Sequence, residues 1–244
     1  MILCIDSGNS RIKWAWHDGQ AWQGIVAVDH QNRAKMAGLL AGAPTPDKVM
    51  LANVAGAEAG AAILAALGPL QARLVEVASS AAAGGVTNGY AQPARLGVDR
   101  WCALIGARAL QTGPCVVVMA GTATTVDALD GEGHFLGGLI LPGYELMRRS
   151  LARDTAALPL AAGQHALWPN CTDDAIVTGC LEAQAGAVER FARRMGGGAI
   201  CLLSGGAAAA IAPHLDLPCR AVDNLVLEGL RQLAGSTAAG GGNG

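Results

Sequence analysis

Met1 to Ile5 is uninterruptedly apolar and ends in the small polar cluster Asp6-Ser-Gly-Asn-Ser10. Arg11 to Trp16 then alternates, His17-Asp-Gly19 breaks the pattern, and a third run spans Gln20 to Val28. Short apolar or alternating runs of roughly four to eight residues read as strands, and Gly/Asp/Asn/Ser clusters read as turns. The pattern predicts strand, turn, strand, turn, strand. It returns further along the chain: Cys115 to Met119, the turn Ala-Gly-Thr-Ala-Thr-Thr, Thr125 to Leu129, Asp130-Gly-Glu-Gly133, and Phe135 to Leu141. Gly8 and Gly121 lie 113 residues apart, and the turn glycines Gly19 and Gly131 lie 112 apart. Such constant spacing points to an internal duplication of a three-stranded unit.

Between the units, Ala57 to Leu67 and Val98 to Gln111 carry helical spacing, with Lys48 to Val54 and Ala72 to Val77 as strands. After the second unit, Gly143 to Thr155 and Thr172 to Met195 predict helices and Ala199 to Leu203 a buried strand. Leu158 to Asn170 predicts a loop, and Leu225 to Leu233 a closing helix. Strands followed by helices in two parallel halves predict an α/β architecture with a cleft between the halves. The expected division is 1–112 and 113–236, with 237–244 as a flexible Gly-rich tail.

Composition narrows the choice. The chain has 244 residues, 52% hydrophobic but only 4% aromatic, so its core must be built from aliphatic side chains and alanine. Charged residues make up 15% and the net charge is −2, which leaves no global footprint for nucleic acid or an anionic membrane. Any phosphate chemistry has to be local. The seven cysteines are odd in number and show no CxxC or zinc spacing, and most fall in apolar runs. They read as small buried hydrophobes. With no leader pattern and no long uncharged apolar stretch, the expectation is a soluble cytoplasmic protein.

Asp6 closes a buried strand beside a turn rich in exposed N–H groups. A carboxylate there suits a phosphate and its Mg²⁺: Gly8 lets the backbone approach an anion, Asn9 and Ser10 add donors, and Lys13 adds charge. Read alone, the segment is also an ordinary hairpin turn. The hydroxyl-rich turn Gly121-Thr-Ala-Thr-Thr125 at the equivalent point of the second unit shifts the balance toward a polyphosphate gripped by both. Neither GxxxxGK[ST] nor GxGxxG occurs, so no Walker or dinucleotide loop is involved. In Asn88-Gly-Tyr-Ala-Gln-Pro-Ala-Arg-Leu-Gly-Val-Asp-Arg-Trp101, Asp99 and Arg100 fall at a helix start. They are either a cap with its ion pair or a general base with an anion- or hydroxyl-binding arginine. The five histidines, at 17, 30, 134, 165 and 214, fall in expected turns and read as solvated. The Arg148-Arg149 and Arg193-Arg194 pairs read as solvent-facing helix charge.

These segments resemble the type III pantothenate kinases, also described as Bvg accessory factor proteins. The matching stretches are DSGNSRIKW at 6–14, NGYAQPARLGVDRW at 88–101, GTATTVD at 121–127, GGLILPGYELMRRSL at 137–151 and SGG at 204–206, in order over most of the chain. The resemblance implies two RNase H-like halves of the actin, sugar kinase and heat-shock ATPase superfamily, and transfer of the ATP γ-phosphate to pantothenate at the start of coenzyme A synthesis. It implies ATP contacts at Asp6, Ser7, Gly8, Asn9, Ser10, Arg11, Ile12, Lys13 and Thr122, and an adenosine segment at Ser204, Gly205 and Gly206. Asp6 would hold Mg²⁺ through water. The pantothenate pocket would comprise Tyr90, Gly97, Val98, Asp99 and Arg100, with Asp99 as general base. Thr172 would be contributed by the second subunit of a homodimer, or serve as a helix N-cap. The pattern departs at Met119, where many relatives have an aspartate that binds a monovalent cation; a thioether is a poor ligand for K⁺ or NH₄⁺, which leaves that requirement open. Asp127 lies nearby in sequence but is not taken as its substitute.

Two other readings fit the same residues: a phosphatase of this fold with water as acceptor, and a nucleotide-binding regulator that has lost catalysis. ATP turnover measured with and without pantothenate separates all three.

Overall fold

The computed structural model describes residues 1–32, 35–41 and 44–236. In chain order the first elements are β1 (Ile2–Ser7), β2 (Arg11–His17), β3 (Trp22–Asp29), α1 (Lys35–Ala41), β4 (Lys48–Asn53) and α2 (Ala57–Leu67). They are followed by β5 (Leu74–Glu76), β6 (Ala82–Ala83), β7 (Val86–Asn88) and α3 (Val98–Leu110). The second series is β8 (Cys115–Ala120), β9 (Ala123–Leu129), β10 (His134–Pro142), α4 (Tyr144–Asp154), α5 (Thr172–Ala192), β11 (Ile200–Ser204), α6 (Ala208–Ile211), β12 (Cys219–Ala221) and α7 (Leu225–Ser236).

Two compact units result, one made of the described residues of Met1–Leu110 together with Leu225–Ser236, the other of Gln111–Asn224. In the first, the strands run β3-β2-β1-β4-β5, with β1–β2 and β2–β3 antiparallel and β1–β4 and β4–β5 parallel. In the second, they run β10-β9-β8-β11-β12, with the same sequence of antiparallel and parallel pairings. A repeated hairpin grammar has thus become a repeated sheet topology.

The sequence reading divides the chain after residue 112 and assigns 113–236 to the second half. The structure instead returns α7 to the first unit, where Leu225, Val226, Leu227 and Leu230 are buried. The reason is tertiary: α7 packs on α3, β1 and β4. A Cβ on Gly229 or Gly106 would collide with backbone of the other helix, so the absence of side chains sets their separation. The Lys48 ammonium donates to the Ala234 carbonyl at 2.9 Å, and the Trp22 indole donates to Glu228 at 3.4 Å. The expected tail at 237–244 lies outside the described residues.

One face of the first sheet buries Leu3, Ile5, Ile12, Trp14, Val49 and Leu51 under Met36, Leu40, Ile63 and Leu67 of α1 and α2. In the second unit, Val116, Val118, Val126, Cys201 and Leu203 meet Ile176, Val177, Leu181 and Val188 of α5. Aliphatic side chains and alanine dominate both cores, as the low aromatic content requires. The 158–170 segment is irregular, as expected, and tied to α5: Gln164 N–H donates to Asp174 at 2.8 Å and Ala166 N–H to the Thr178 hydroxyl at 3.0 Å. The structure adds α1, α6, β12 and the β6–β7 hairpin to the elements legible in the sequence.

Candidate active site

Asp6 and Lys13 face one another across β1 and β2. The connecting turn closes through Gly8 N–H donating to the Arg11 carbonyl at 3.0 Å. Asp6 is half-buried, Ser7 is buried, and the Ser7 hydroxyl has no hydrogen-bond partner among the described residues. Burial, with the Asp99 charge adding to it and the Lys13 ammonium offsetting part of the rise, pushes the Asp6 carboxyl up to about 7. A carboxylate under that pressure is a ligand that fits a hard cation such as Mg²⁺, whereas Ser7, the next residue of the strand, faces the opposite side of the sheet.

Asp99 lies in the first turn of α3, and its Oδ1 accepts the Arg100 N–H at 2.8 Å. Gly97 makes room for it, since a Cβ there would stand 2.6 Å from Asp99 Oδ1. Both acids act on the same thiol: burial raises Cys102 well above its ordinary value, with Asp6 and Asp99 adding to the shift. Asp6 and Asp99 therefore share one electrostatic environment, although 93 residues separate them in the chain. Arg100 is buried, donates to the Tyr90 hydroxyl at 2.8 Å and lies 5.6 Å from the Tyr90 ring centroid. The loop carrying Tyr90 is organised by Asn88, a residue the sequence reading quotes but assigns no role. The buried Asn88 amide donates to the Ser80 and Pro93 carbonyls at 3.1 and 3.2 Å, and its oxygen accepts the Tyr90 N–H at 3.0 Å. Its place two residues before Tyr90 in a Gly/Pro loop was the available signal.

In the second unit, Gly121 N–H donates to the Ala123 carbonyl at 3.1 Å, leaving Thr122 exposed at the tip. Ser204 ends β11 in register with Met119, and Gly205 adopts φ +108° against the backbone of Ala120. Ala207 N–H donates to the Ala120 carbonyl at 3.1 Å. The Thr122 turn and the Ser204–Gly206 turn are thereby joined through Ala120. Gly143, absent from the expected site residues, donates its N–H to the Thr122 carbonyl at 2.9 Å.

Met119 occupies the place in β8 that Asp6 occupies in β1, half-buried and paired with Thr125. Its neutral, soft thioether does not fit K⁺ or NH₄⁺. Asp127 lies on the same face, two residues beyond Thr125, and is fully buried.

Thr172 opens α5, with Cys171 in the N-cap position. The N-cap alternative for Thr172 is therefore corrected: it is the first helical residue. It is exposed at the rim of an apolar groove of about 540 Å³ that also includes Met147, Leu151, Leu158 and Ile176. The histidine expectation also changes. His17 is buried on β2 with its ring edge against Trp22, and the His30 ring nitrogen lies 2.6 Å from the Gly8 carbonyl. Arg148 is half-buried over the Tyr144 ring and donates to the Ala161 carbonyl, so it is not simple helix-face charge.

The sequence profile described as type III pantothenate kinase matches residues 2–194. A type III pantothenate kinase of Dechloromonas aromatica is 57% identical over 96% of this chain and 99% of its own length. Among solved structures, a conserved Baf family protein from Campylobacter jejuni superposes with a TM-score of 0.63 at 18% identity, covering 97% of this chain and 99% of the other. A glucokinase from an Antarctic psychrotroph gives 0.51 at 12% identity, covering 96% and 98%. These two likenesses establish the fold alone, one shared with a sugar kinase. The full-length identity and the profile match together show that the chain belongs to the type III pantothenate kinase family, ATP-dependent phosphotransferases that carry out the first step of coenzyme A biosynthesis.

Proposed function

We propose that Asp99 is the general base of pantothenate phosphorylation, with Asp6 to Lys13, Thr122 and Ser204 to Gly206 holding ATP, and Tyr90, Gly97, Val98, Arg100 and Thr172 holding the acceptor. The observation that carries this reading is the place of Asp99 in the first turn of α3, next to the buried Arg100 that donates to Tyr90, with its charge felt at Asp6 beside the small-residue turn. Asp99 takes the proton of the primary hydroxyl as its oxygen forms the bond to the γ-phosphorus and the bond to the ADP oxygen breaks. Arg100 keeps Tyr90 oriented toward the acceptor. Asn9 and Ser10 donate to the phosphates, and Lys13 balances their charge. Asp6 would hold Mg²⁺ through water; when bound, the ion neutralises charge on the transferring phosphate. No step is assigned to a monovalent cation.

The proposal extends to a cytoplasmic homodimer in which Thr172 reaches the partner's acceptor pocket. Its support is the exposure of Thr172 beside an apolar groove. Among the described residues no helix is long and apolar enough to cross a membrane.

Asp99→Asn tests the central role. The expected result is a kcat lower by about 10²- to 10⁴-fold, the usual share of general-base assistance, with ATP still bound. A variant that turns over at the wild-type rate removes Asp99 from the chemistry.

A further inference from the structure

The end of β3 lies over the first turn. Asp29 accepts the Arg11 Nε–H at 3.0 Å, the His30 backbone N–H donates to the Ser10 carbonyl at 3.4 Å, and the His30 Nε2 stands 2.6 Å from the Gly8 carbonyl oxygen. Two successive residues thus engage Gly8, Ser10 and Arg11. A carbonyl only accepts, so Nε2 carries the hydrogen in this contact.

The consequence follows from peptide geometry. A trans peptide is planar, with its C=O and the next N–H on opposite sides, and no cis peptide is present among the described residues. Drawing the Gly8 carbonyl toward His30 turns the Asn9 N–H away from it. The Ser10 carbonyl, held by the His30 N–H, does the same for the Arg11 N–H. N–H groups fixed on one side of a turn form a concave anion site.

We infer that His30 is a positioning residue of this kinase: by holding the Gly8 carbonyl it presents the Asn9 N–H to a phosphate of the nucleotide. The inference rests on the reading of Asp6 to Lys13 as a phosphate-binding segment. It assigns a role to a side chain outside the motifs quoted from the sequence.

The test is ATP and pantothenate kinetics on His30→Leu, His30→Gln and His30→Asn in the full-length enzyme, with thermal unfolding measured in parallel. A glutamine amide nitrogen reaches the place of Nε2, whereas an asparagine nitrogen reaches only that of Nδ1. The expected pattern is a KM for ATP raised about 3- to 10-fold in the leucine and asparagine variants, as for loss of one ordinary hydrogen bond. Glutamine restores it to within about 2-fold, and the KM for pantothenate stays at the wild-type value in all three. Equal behaviour of the glutamine and asparagine variants, or parallel changes in both KM values, overturns the inference. Ser10→Ala and Lys13→Met distinguish the two levels. If both leave ATP kinetics untouched, the phosphate reading of the turn fails and the role of His30 with it. If they raise the KM for ATP while the His30 series does not, only the role of His30 falls.

Discussion

Gly143→Ala probes the second turn without touching a group expected to contact substrate. Gly143 precedes α4 with φ −67° and ψ 162°, a conformation open to any residue, so backbone strain plays no part. Space does. An added Cβ would stand 2.6 Å from the Thr122 carbonyl oxygen and closer still to that of Gly121, whereas ordinary contact begins at 3.4 Å. The closer clash sets the scale, so the turn or the start of α4 must move by more than about 1 Å. Tyr144 is buried against the second core while Thr122 is exposed, so the turn is the part that gives way. Overpacking of this kind costs roughly 1–3 kcal/mol, and a displacement near 1 Å lowers catalysis by about 10²-fold. Steady-state kinetics with each substrate varied, together with urea unfolding, should show kcat/KM for ATP down by about 10- to 100-fold. The KM for pantothenate should hold, with stability lower by roughly 1–3 kcal/mol. Wild-type ATP kinetics at unchanged stability would refute the argument that this glycine spaces the turn.

Tyr90→Phe removes the acceptor of the Arg100 hydrogen bond; the KM for pantothenate should rise about 3- to 10-fold with ATP binding intact, and an unchanged value would separate this pair from the acceptor. Kinase activity in sodium buffer should not increase on adding potassium or ammonium, because Met119 offers no hard ligand; strong activation would mean that other oxygen atoms form the site. A pH effect is expected at Glu228. Burial pushes its carboxyl up, but hydrogen bonds and charge from Arg231, with Gln232 and Trp22, outweigh that and hold it below the usual 4.5. A depressed carboxyl contributes stability above its unfolded value and loses it as pH falls through the folded one. Urea titrations should therefore show Glu228→Gln less stable than wild type at pH 7, with the gap closing below pH 4.5. A gap that persists in acid would show that the ion pair is not its source.

Much of the candidate site is legible because its parts are local. Asp6 to Lys13 is a strand end, a small-residue turn and a strand start; Gly97 to Arg100 is a helix entrance; Gly121 to Thr125 repeats the first turn. Each depends on the conformational range of glycine and on short polar side chains, which neighbours in the chain suffice to reveal. The contacts of Gly143 and His30 were not legible for the opposite reason, and those of Asn88 were signalled only by its place before Tyr90. Asn88 is one polar residue in a loop until its amide is seen to join Ser80, Pro93 and Tyr90. Gly143 reads as a helix start until the Thr122 carbonyl is found against it. His30 reads as a solvated turn residue until its ring meets the Gly8 carbonyl, 22 residues earlier.

From its periodicity alone the chain specifies two copies of a hairpin-plus-strand unit, the small polar turns that cap them, and an aliphatic core. Period and turn chemistry are properties of neighbouring residues and need no fold to be read. Tertiary structure decided which sheet α7 covers, that the Asp99 charge would raise the Asp6 carboxyl, and that Ala120 would join the Thr122 and Ser204 turns. These outcomes depend on burial and on distances between residues far apart in the chain, and both come into being only when the elements pack.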